Sequence, residues 1–329
     1  MSSELTFCKM LLDRASHLRK NTAWLADKIL ANESCFYFYW QNKFLYLEQE
    51  IFVYHQNENS VSNDVLSISD ISQSDKLTFL GLEGDTAHFV FDLSEFGEAA
   101  LEQWLLGIGH NKVQRTAKFI DFRRSLSLLS SAQASILSYA KALIHWQQSA
   151  VYCGSCGNKT QPLDGGHRMQ CLSDKCQKEQ FPRTDPVVIM LVEYQPEVGP
   201  AMCLLAEHHR ISEQVYSTLA GFVDPGESLT EAVSREVFEE VGITVTEISY
   251  VDSQPWPFPN SLMLGFIARA TSTEINLEEE ELRSADWFTA EQLANFYEWG
   301  DDVEGAKLPR KESIARLLID SWCEKQRRS

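Results

Sequence analysis

The sequence predicts an α/β protein. An α/β/α sandwich on a mixed sheet fills the C-terminal part, preceded by a four-cysteine ribbon and a smaller, mainly β N-terminal domain. Three observations carry this. Residues 187–192 form a nearly continuous apolar run, the texture of a central strand buried on both faces. Residues 221–243 hold one amphipathic helix with start and stop signals of its own. Aromatic-rich runs broken by polar turns recur through the first hundred residues. A chain of 329 residues with 44% hydrophobic content supports two or three domains, each with a core. The boundaries expected are 1–118 (β-rich), 119–150 (a helical connector), 151–182 (the ribbon) and 183–329 (the sandwich).

Taken in order, residues 1 to about 30 carry helical periodicity through Leu11, Leu12, Ala15, Leu18, Trp24, Leu25 and Ile29. Residues 36–40 and 44–47 read as a β-hairpin, with a further strand at 51–54. Residues 55–76, rich in Asn, Ser, Asp and Gln, read as a mobile loop. Strand texture returns at 77–80 and 87–91, and the histidines and aspartates of this domain read as surface groups. A helix from Ser131 to Trp146 follows, with Ile136, Ala140, Leu143 and Ile144 on one face and His145 in a packing or surface role.

Cys153 and Cys156, then Cys171 and Cys176, form two short-spaced pairs around a hairpin-sized insert. Four thiolates so spaced close a tetrahedral structural zinc site with no open position, one ion per subunit. Disulfides are disfavoured because the N-terminus carries no secretion signal. The other four cysteines, Cys8, Cys35, Cys203 and Cys323, read as small buried hydrophobes. No apolar run reaches membrane-spanning length and no targeting tripeptide closes the chain, so a soluble cytoplasmic protein is expected.

The helix after Gly221 carries the chemistry. Ser228 and Glu231 form a capping box, and Gly242 supplies the left-handed stop. Leu229, Val233, Val237 and Val241 make the apolar stripe. Glu236, Glu239 and Glu240, at i, i+3 and i+4, converge on another face, where mutual repulsion raises their pKa values unless a cation sits among them. Hard oxygen ligands of this kind suit Mg²⁺ or Mn²⁺ bridging to substrate phosphates. A net charge of −18 excludes a broad basic surface for nucleic acid. Downstream, three prolines within residues 253–261 (SQPWPFPNS) are incompatible with a regular strand, so a stiff loop is expected to fix the directions of Gln254, Trp256 and Phe258.

At every fixed position residues 221–243 resemble the Nudix hydrolase signature. Residues 253–261, together with the preceding four-cysteine ribbon, resemble the NADH pyrophosphatase (NAD-capped RNA hydrolase) branch of that superfamily. The resemblance implies metal-dependent hydrolysis of NAD(H) to NMN(H) and AMP, removal of the NAD cap from RNA 5′ ends, and a homodimer. By position it implies metal-binding roles for Glu236, Glu239 and Glu240, with Arg235 orienting those carboxylates. It also implies a further metal- and ligand-contacting role for Glu281, within one register of Glu278, Glu279 and Glu280. Phe222 matches a stacking aromatic, Gln254 a ligand-contacting amide and Ala315 a backbone contact. Phe181 matches a second stacking face. Two departures from the pattern are Asp224, where Glu is usual, and residues 308–313, which lack the usual Pro/Gly-rich loop. Open alternatives are a Nudix enzyme for another nucleoside diphosphate such as ADP-ribose, and a non-catalytic nucleotide sensor.

Overall fold

The computed structural model describes residues 5–55, 74–109, 117–211, 214–278 and 280–328. The chain divides into two compact units, Lys9–Arg183 and Met1–Cys8 with Thr184–Ser329. Most of the expected loop at 55–76 lies outside the described residues, as do residues 110–116 and Glu279.

In the N-terminal unit the first element is α1 (Thr22–Leu30), opened by the Asn21 side chain accepting from Trp24 N. The helical reading of the preceding residues is corrected. Residues 9–20 are irregular, Ala15 lies at φ 41°, and the Asp13 carboxylate accepts from Ala15 N at 2.9 Å. Asp13 also bridges the backbone of Leu82, so its peptide groups are spent on a sheet edge and not on a helix. The hairpin falls where expected, as β1 (Cys35–Trp40) and β2 (Lys43–Leu47), followed by β3 (Glu50–Ile51), β4 (Tyr54–His55), β5 (Leu77–Glu83) and β6 (Thr86–Asp92). Then come α2 (Glu98–Gly109), β7 (Ala117–Asp121) and α3 (Ser131–Ser149), a full turn longer than expected because its capping box (Ser130, Gln133) has no counterpart stop before Ala150.

Phe36, Phe38, Phe79, Phe89, Phe91 and Trp104 pack one core in this unit. The expectation of surface histidines and aspartates fails at two positions. His88 stacks on Tyr37 and is 5% exposed. Asp92 is 8% exposed and accepts from Ser94 N and Gln148 Nε2.

The ribbon adds β8 (Thr160–Leu163), β9 (Arg168–Cys171) and β10 (Glu179–Gln180). It is stitched to the sheet through α3, because Gln147 Nε2 donates to Thr78 Oγ1 and to Gly166 O. His167 completes the seam: Nε2 donates to Phe79 O at 2.7 Å, and Tyr139 OH faces Nδ1 at 3.5 Å. Residues 119–150 therefore join sheet and ribbon into one body.

The C-terminal unit holds β11 (Asp185–Tyr194), β12 (Met202–His208), β13 (Tyr216–Ser217), β14 (Leu219–Phe222), α4 (Leu229–Val241), β15 (Val245–Trp256), β16 (Ser261–Ala270) and β17 (Leu282–Thr289). After them come α5 (Ala290–Leu293), β18 (Tyr297–Glu298), β19 (Lys307–Leu308) and α6 (Ile314–Arg328). Strand β11 is central, parallel to β16 and antiparallel to β12 and β14. Its alternate residues split between two cores. Val188, Met190 and Val192 meet Ala232, Val233, Val237 and Val241 of α4 on one face. Ile189 and Leu191 meet Ile314, Leu318, Ile319 and Trp322 of α6 on the other. This is the α/β/α sandwich, and it explains the unbroken apolar run. In the stripe of α4, Leu229 is half-exposed at the helix entrance, and Ala232 takes the buried place.

Residues 253–256 correct the loop expectation. They continue β15, with Gln254 opposite Met263 and Pro255 opposite Leu262. The sheet path ends at β15, and an edge strand tolerates proline because its missing N–H can face away from the ladder. Leu5 and Phe7 also belong to this unit and are 6% and 4% exposed, a burial worth roughly 1.5–3 kcal/mol for each side chain. Cys8, expected buried, is exposed, whereas Cys35, Cys203 and Cys323 are buried as expected.

The two sheets have one connectivity. In each, the first strand lies parallel to the sixth and antiparallel to the second and fourth, and the second also pairs with the third and seventh. Strands β11 to β17 repeat β1 to β7 in that order.

Burial, opposed in part by the Phe79 carbonyl, lowers the His167 pKa from the usual 6.5 to about 4. Below pH 6.5 the unfolded chain binds a proton that the folded chain refuses, so this stability is complete above pH 6.5 and is lost as pH falls toward 4. Denaturant unfolding at pH 7 and pH 4.5 should show wild type losing up to ~3 kcal/mol more than His167→Gln. Equal losses in the two proteins would refute the seam's role in acid sensitivity.

Candidate active site

Helix α4 starts and stops as its sequence dictates. Ser228 Oγ accepts from Glu231 N while the Glu231 carboxylate accepts from Ser228 N, and Gly242 takes φ 70° at the C-cap. Between these caps Arg235 gathers the acids. Its Nε and one terminal nitrogen donate to both oxygens of Glu227, at 2.7 and 2.8 Å. The other terminal nitrogen donates to Glu236 at 2.8 Å and to Glu239 at 3.0 Å. The guanidinium also reaches Phe222 O at 2.9 Å, tying the helix to the end of β14. This bidentate clamp holds the Glu227 carboxyl down at about 2.

Glu240 is in the opposite state. It is 4% exposed, and its Oε2 is buried without a hydrogen-bond partner among the described residues. Burial pushes its carboxyl up to about 8, and the charges of Glu236, Glu281 and Glu239 push the same way. Burial raises Glu236 too, with Arg235 pulling back. A buried, unpaired carboxylate facing three more is expensive unless a cation joins it. The donor set consists of hard carboxylate oxygens, which fit a divalent ion of the Mg²⁺ or Mn²⁺ type. Gly221 is required for the same reason. A Cβ there would overlap the Glu236 carboxylate, so the glycine lets that carboxylate sit against β14 where any other residue would push it aside.

The other expected residues separate. Glu281 lies near enough to raise Glu236 and Glu240, and Arg210 sits 3.4 Å from its carboxylate. Glu278 is spent locally, accepting from Glu280 N, while its own N–H donates to Glu240 O. Among the described residues of 278–281, Glu281 is the one whose charge acts on both Glu236 and Glu240. Phe222 presents an exposed ring beside the clamp. Phe181 presents another at the end of the N-terminal unit.

Gln254 lies inside the chain. It is 0% exposed, and its Nε2 donates to Thr6 O at 2.9 Å and to Glu312 O at 2.7 Å. Its Oε1 accepts from Ile314 N at 2.8 Å, so both amide protons and the oxygen are spent inside the chain. Ala315 is buried in the first turn of α6. Sequence reasoning missed Thr6, Phe7 and Glu312, because nothing in local spacing links Gln254 to residues 248 positions before it or 58 positions after it.

In the ribbon, the four Sγ atoms of Cys153, Cys156, Cys171 and Cys176 lie within 4.8 Å of one another. The Cys153–Cys176 and Cys156–Cys171 separations are 3.8 and 3.4 Å. Tetrahedral ligands on bonds of about 2.3 Å stand about 3.8 Å apart, so the thiolates fit one zinc-sized ion and form no disulfide.

A sandwich with this acid-bearing helix defines a class, and the comparisons agree. The NUDIX domain profile matches residues 183–307, and that of the NADH pyrophosphatase-like rudimentary NUDIX domain matches residues 33–146. The chain belongs to the Nudix hydrolases, in the NADH pyrophosphatase branch, and the second profile accounts for the repeated sheet. It is 31% identical to the NAD-capped RNA hydrolase NUDT12 of Pongo abelii, over 96% of this chain and 72% of that protein. It is 39% identical to Nudix hydrolase 19, chloroplastic, of Arabidopsis thaliana, over 67% of this chain and 50% of that one. It is 43% identical to the NAD-capped RNA hydrolase NudC of Pseudomonas aeruginosa, over 58% of this chain and 62% of that one.

Gly221→Ala should displace Glu236 and weaken Mn²⁺ binding by about 10- to 100-fold, the range for losing support of a ligand. Titration followed by electron paramagnetic resonance checks this, and unchanged affinity would exclude Glu236 from the ion's site.

Proposed function

We propose that the chain hydrolyses the pyrophosphate of NAD(H) to NMN(H) and AMP, and removes the NAD cap from RNA 5′ ends. The observation that carries the reading is the buried, partnerless Glu240 carboxylate at the centre of an Arg235-ordered acid cluster, in a chain whose relatives are named NAD-capped RNA hydrolases. Glu236, Glu239, Glu240 and Glu281 are the residues that would hold the catalytic Mg²⁺ or Mn²⁺. When bound, such ions acidify the attacking water and spread the charge of the departing phosphate. Arg235 fixes Glu236 and Glu239 in direction, and its Glu227 clamp keeps the guanidinium from leaving. Glu239 and Glu281 are both more than half exposed, so either can take the proton of the attacking water. Water adds to one phosphorus, the bridging P–O–P bond breaks, and the departing phosphate keeps the electron pair. The exposed Phe222 ring offers a face for a planar group of the substrate.

The expected Glu240→Gln enzyme keeps its fold, since a buried carboxylate is exchanged for a neutral amide, but loses at least about a hundredfold in kcat. Near-normal turnover would sink the assignment. With Mg²⁺ and Mn²⁺ in parallel, kcat/KM for NADH should exceed that for ADP-ribose, and NAD-capped RNA should release NMN. A preference for ADP-ribose would favour the other nucleoside diphosphate reading, and no turnover of any substrate the sensor reading.

For the ribbon we propose one structural Zn²⁺ per subunit. Purified protein should carry it stoichiometrically, and a chelator should lower the melting temperature without an immediate loss of kcat. A metal-free chain of full stability would refute this. The reading also takes the enzyme as a cytoplasmic homodimer, by its resemblance to the branch. No described helix is long and apolar enough to cross a membrane.

A further inference from the structure

The segment Leu5 to Cys8 is embedded in the C-terminal unit. Leu5 is buried in the cluster of Ile189, Ile314, Ala315 and Trp322. Thr6 O accepts from Gln254 Nε2. Phe7, at φ 71°, sets its ring edge-on to Trp256 and Phe258, with centroids 6.3 Å from each. Cys8 Sγ lies 3.6 Å from Ser253 O. Four successive residues thus grip residues 253–258 and the first turn of α6.

The register gives this grip its meaning. Phe222 pairs with Val187, Val187 with Met263 and Met263 with Gln254, so these four side chains stand in one row on one face of the sheet. The row spans three strand spacings, about 14 Å. The exposed Phe222 ring is at one end and the buried Gln254 amide at the other. Through that amide Thr6, Glu312 and Ile314 are bound to a single side chain.

We infer that residues 5–8 form the fixed back wall of the substrate site: a positioning element that holds Gln254 and the α6 N-terminus, and so sets the space for the planar group stacked on Phe222. The inference rests on the NAD(H) reading above and adds the specificity determinant. The segment is a wall and not a displaceable lid. Lifting it would expose two buried apolar side chains and leave one amide proton of Gln254 without its acceptor.

The test compares Phe7→Ala, Phe7→Leu and Gln254→Met in the full chain, with kcat and KM for NADH and for ADP-ribose, which lacks the nicotinamide. Phe7→Ala and Gln254→Met should raise KM for NADH at least about tenfold, with kcat within about threefold and KM for ADP-ribose within about twofold. Phe7→Leu should restore most of the NADH affinity. Unchanged kinetics in Phe7→Ala and Gln254→Met would overturn the inference, as would equal losses for both substrates, the mark of a merely structural role. Should Phe7→Ala not fold, Gln254→Met alone decides, because it keeps both apolar anchors. Failure of the wild-type enzyme to hydrolyse NADH would instead overturn the functional reading itself.

Discussion

The burial of Glu240 is the constraint on which the rest of the catalytic unit depends. A carboxyl with an oxygen removed from water and no partner among the described residues, pushed up to about 8, takes up its charge when a cation joins it. Its neighbours are arranged around that charge. Arg235 could neutralise Glu240, yet it is held away by the two oxygens of Glu227, by Glu236 and Glu239, and by the Phe222 carbonyl. That guanidinium is thereby fixed as scaffold, and the buried acid is left for a divalent ion. Gly221 serves the same end by allowing strand and carboxylate into near contact.

The repeated sheet shows how little the fold alone decides. In the catalytic unit one row across the sheet reads Phe222, Val187, Met263, Gln254. One row across the N-terminal sheet reads His55, Cys35, His88, Gly81. Where the first places a fully bonded glutamine, the second has a glycine whose missing Cβ makes room for the Asp13 carbonyl. No Arg-Glu pair and no Glu-Glu pair occurs between residues 55 and 77, where the acid-bearing helix would belong. The same connectivity carries different side chains in the two sheets.

Much of this was legible because the determining signals are local. A capping box, a glycine stop and an i, i+3, i+4 spacing each act within one or two turns, so α4 and its acids could be placed from residues 221–243 alone. The apolar run of β11 and the paired cysteines are equally short-range. The misreadings share another cause. The helix expected before residue 20 and the loop expected at 253–256 were each decided by distant partners, as are the bonds of Gln254. Leu82 takes the backbone of Asp13, strand β16 pairs with Pro255 and Trp256, and Thr6 with Glu312 spends the Gln254 amide. Periodicity and proline content describe what a segment prefers alone, and long-range backbone groups can outbid that preference.

Metal-bearing carboxylates are a demand shared by any hydrolysis of a diphosphate, so they do not distinguish one diphosphate from another. Discrimination must come from contacts that differ between substrates, and here the elements beside Phe222 are assembled from three remote pieces of chain. A single amide on β15 joins the first residues of the protein to the start of its last helix. Because all of its donors and its acceptor oxygen are engaged at once, a shift of any one partner leaves a buried polar group unsatisfied, and that cost keeps the three in register. The helix that bears the acids needs none of this to form. What needs it is the opposite face of the sheet, where α6 packs, and residues 5–8 fold with that face and not with the sheet that follows them in sequence.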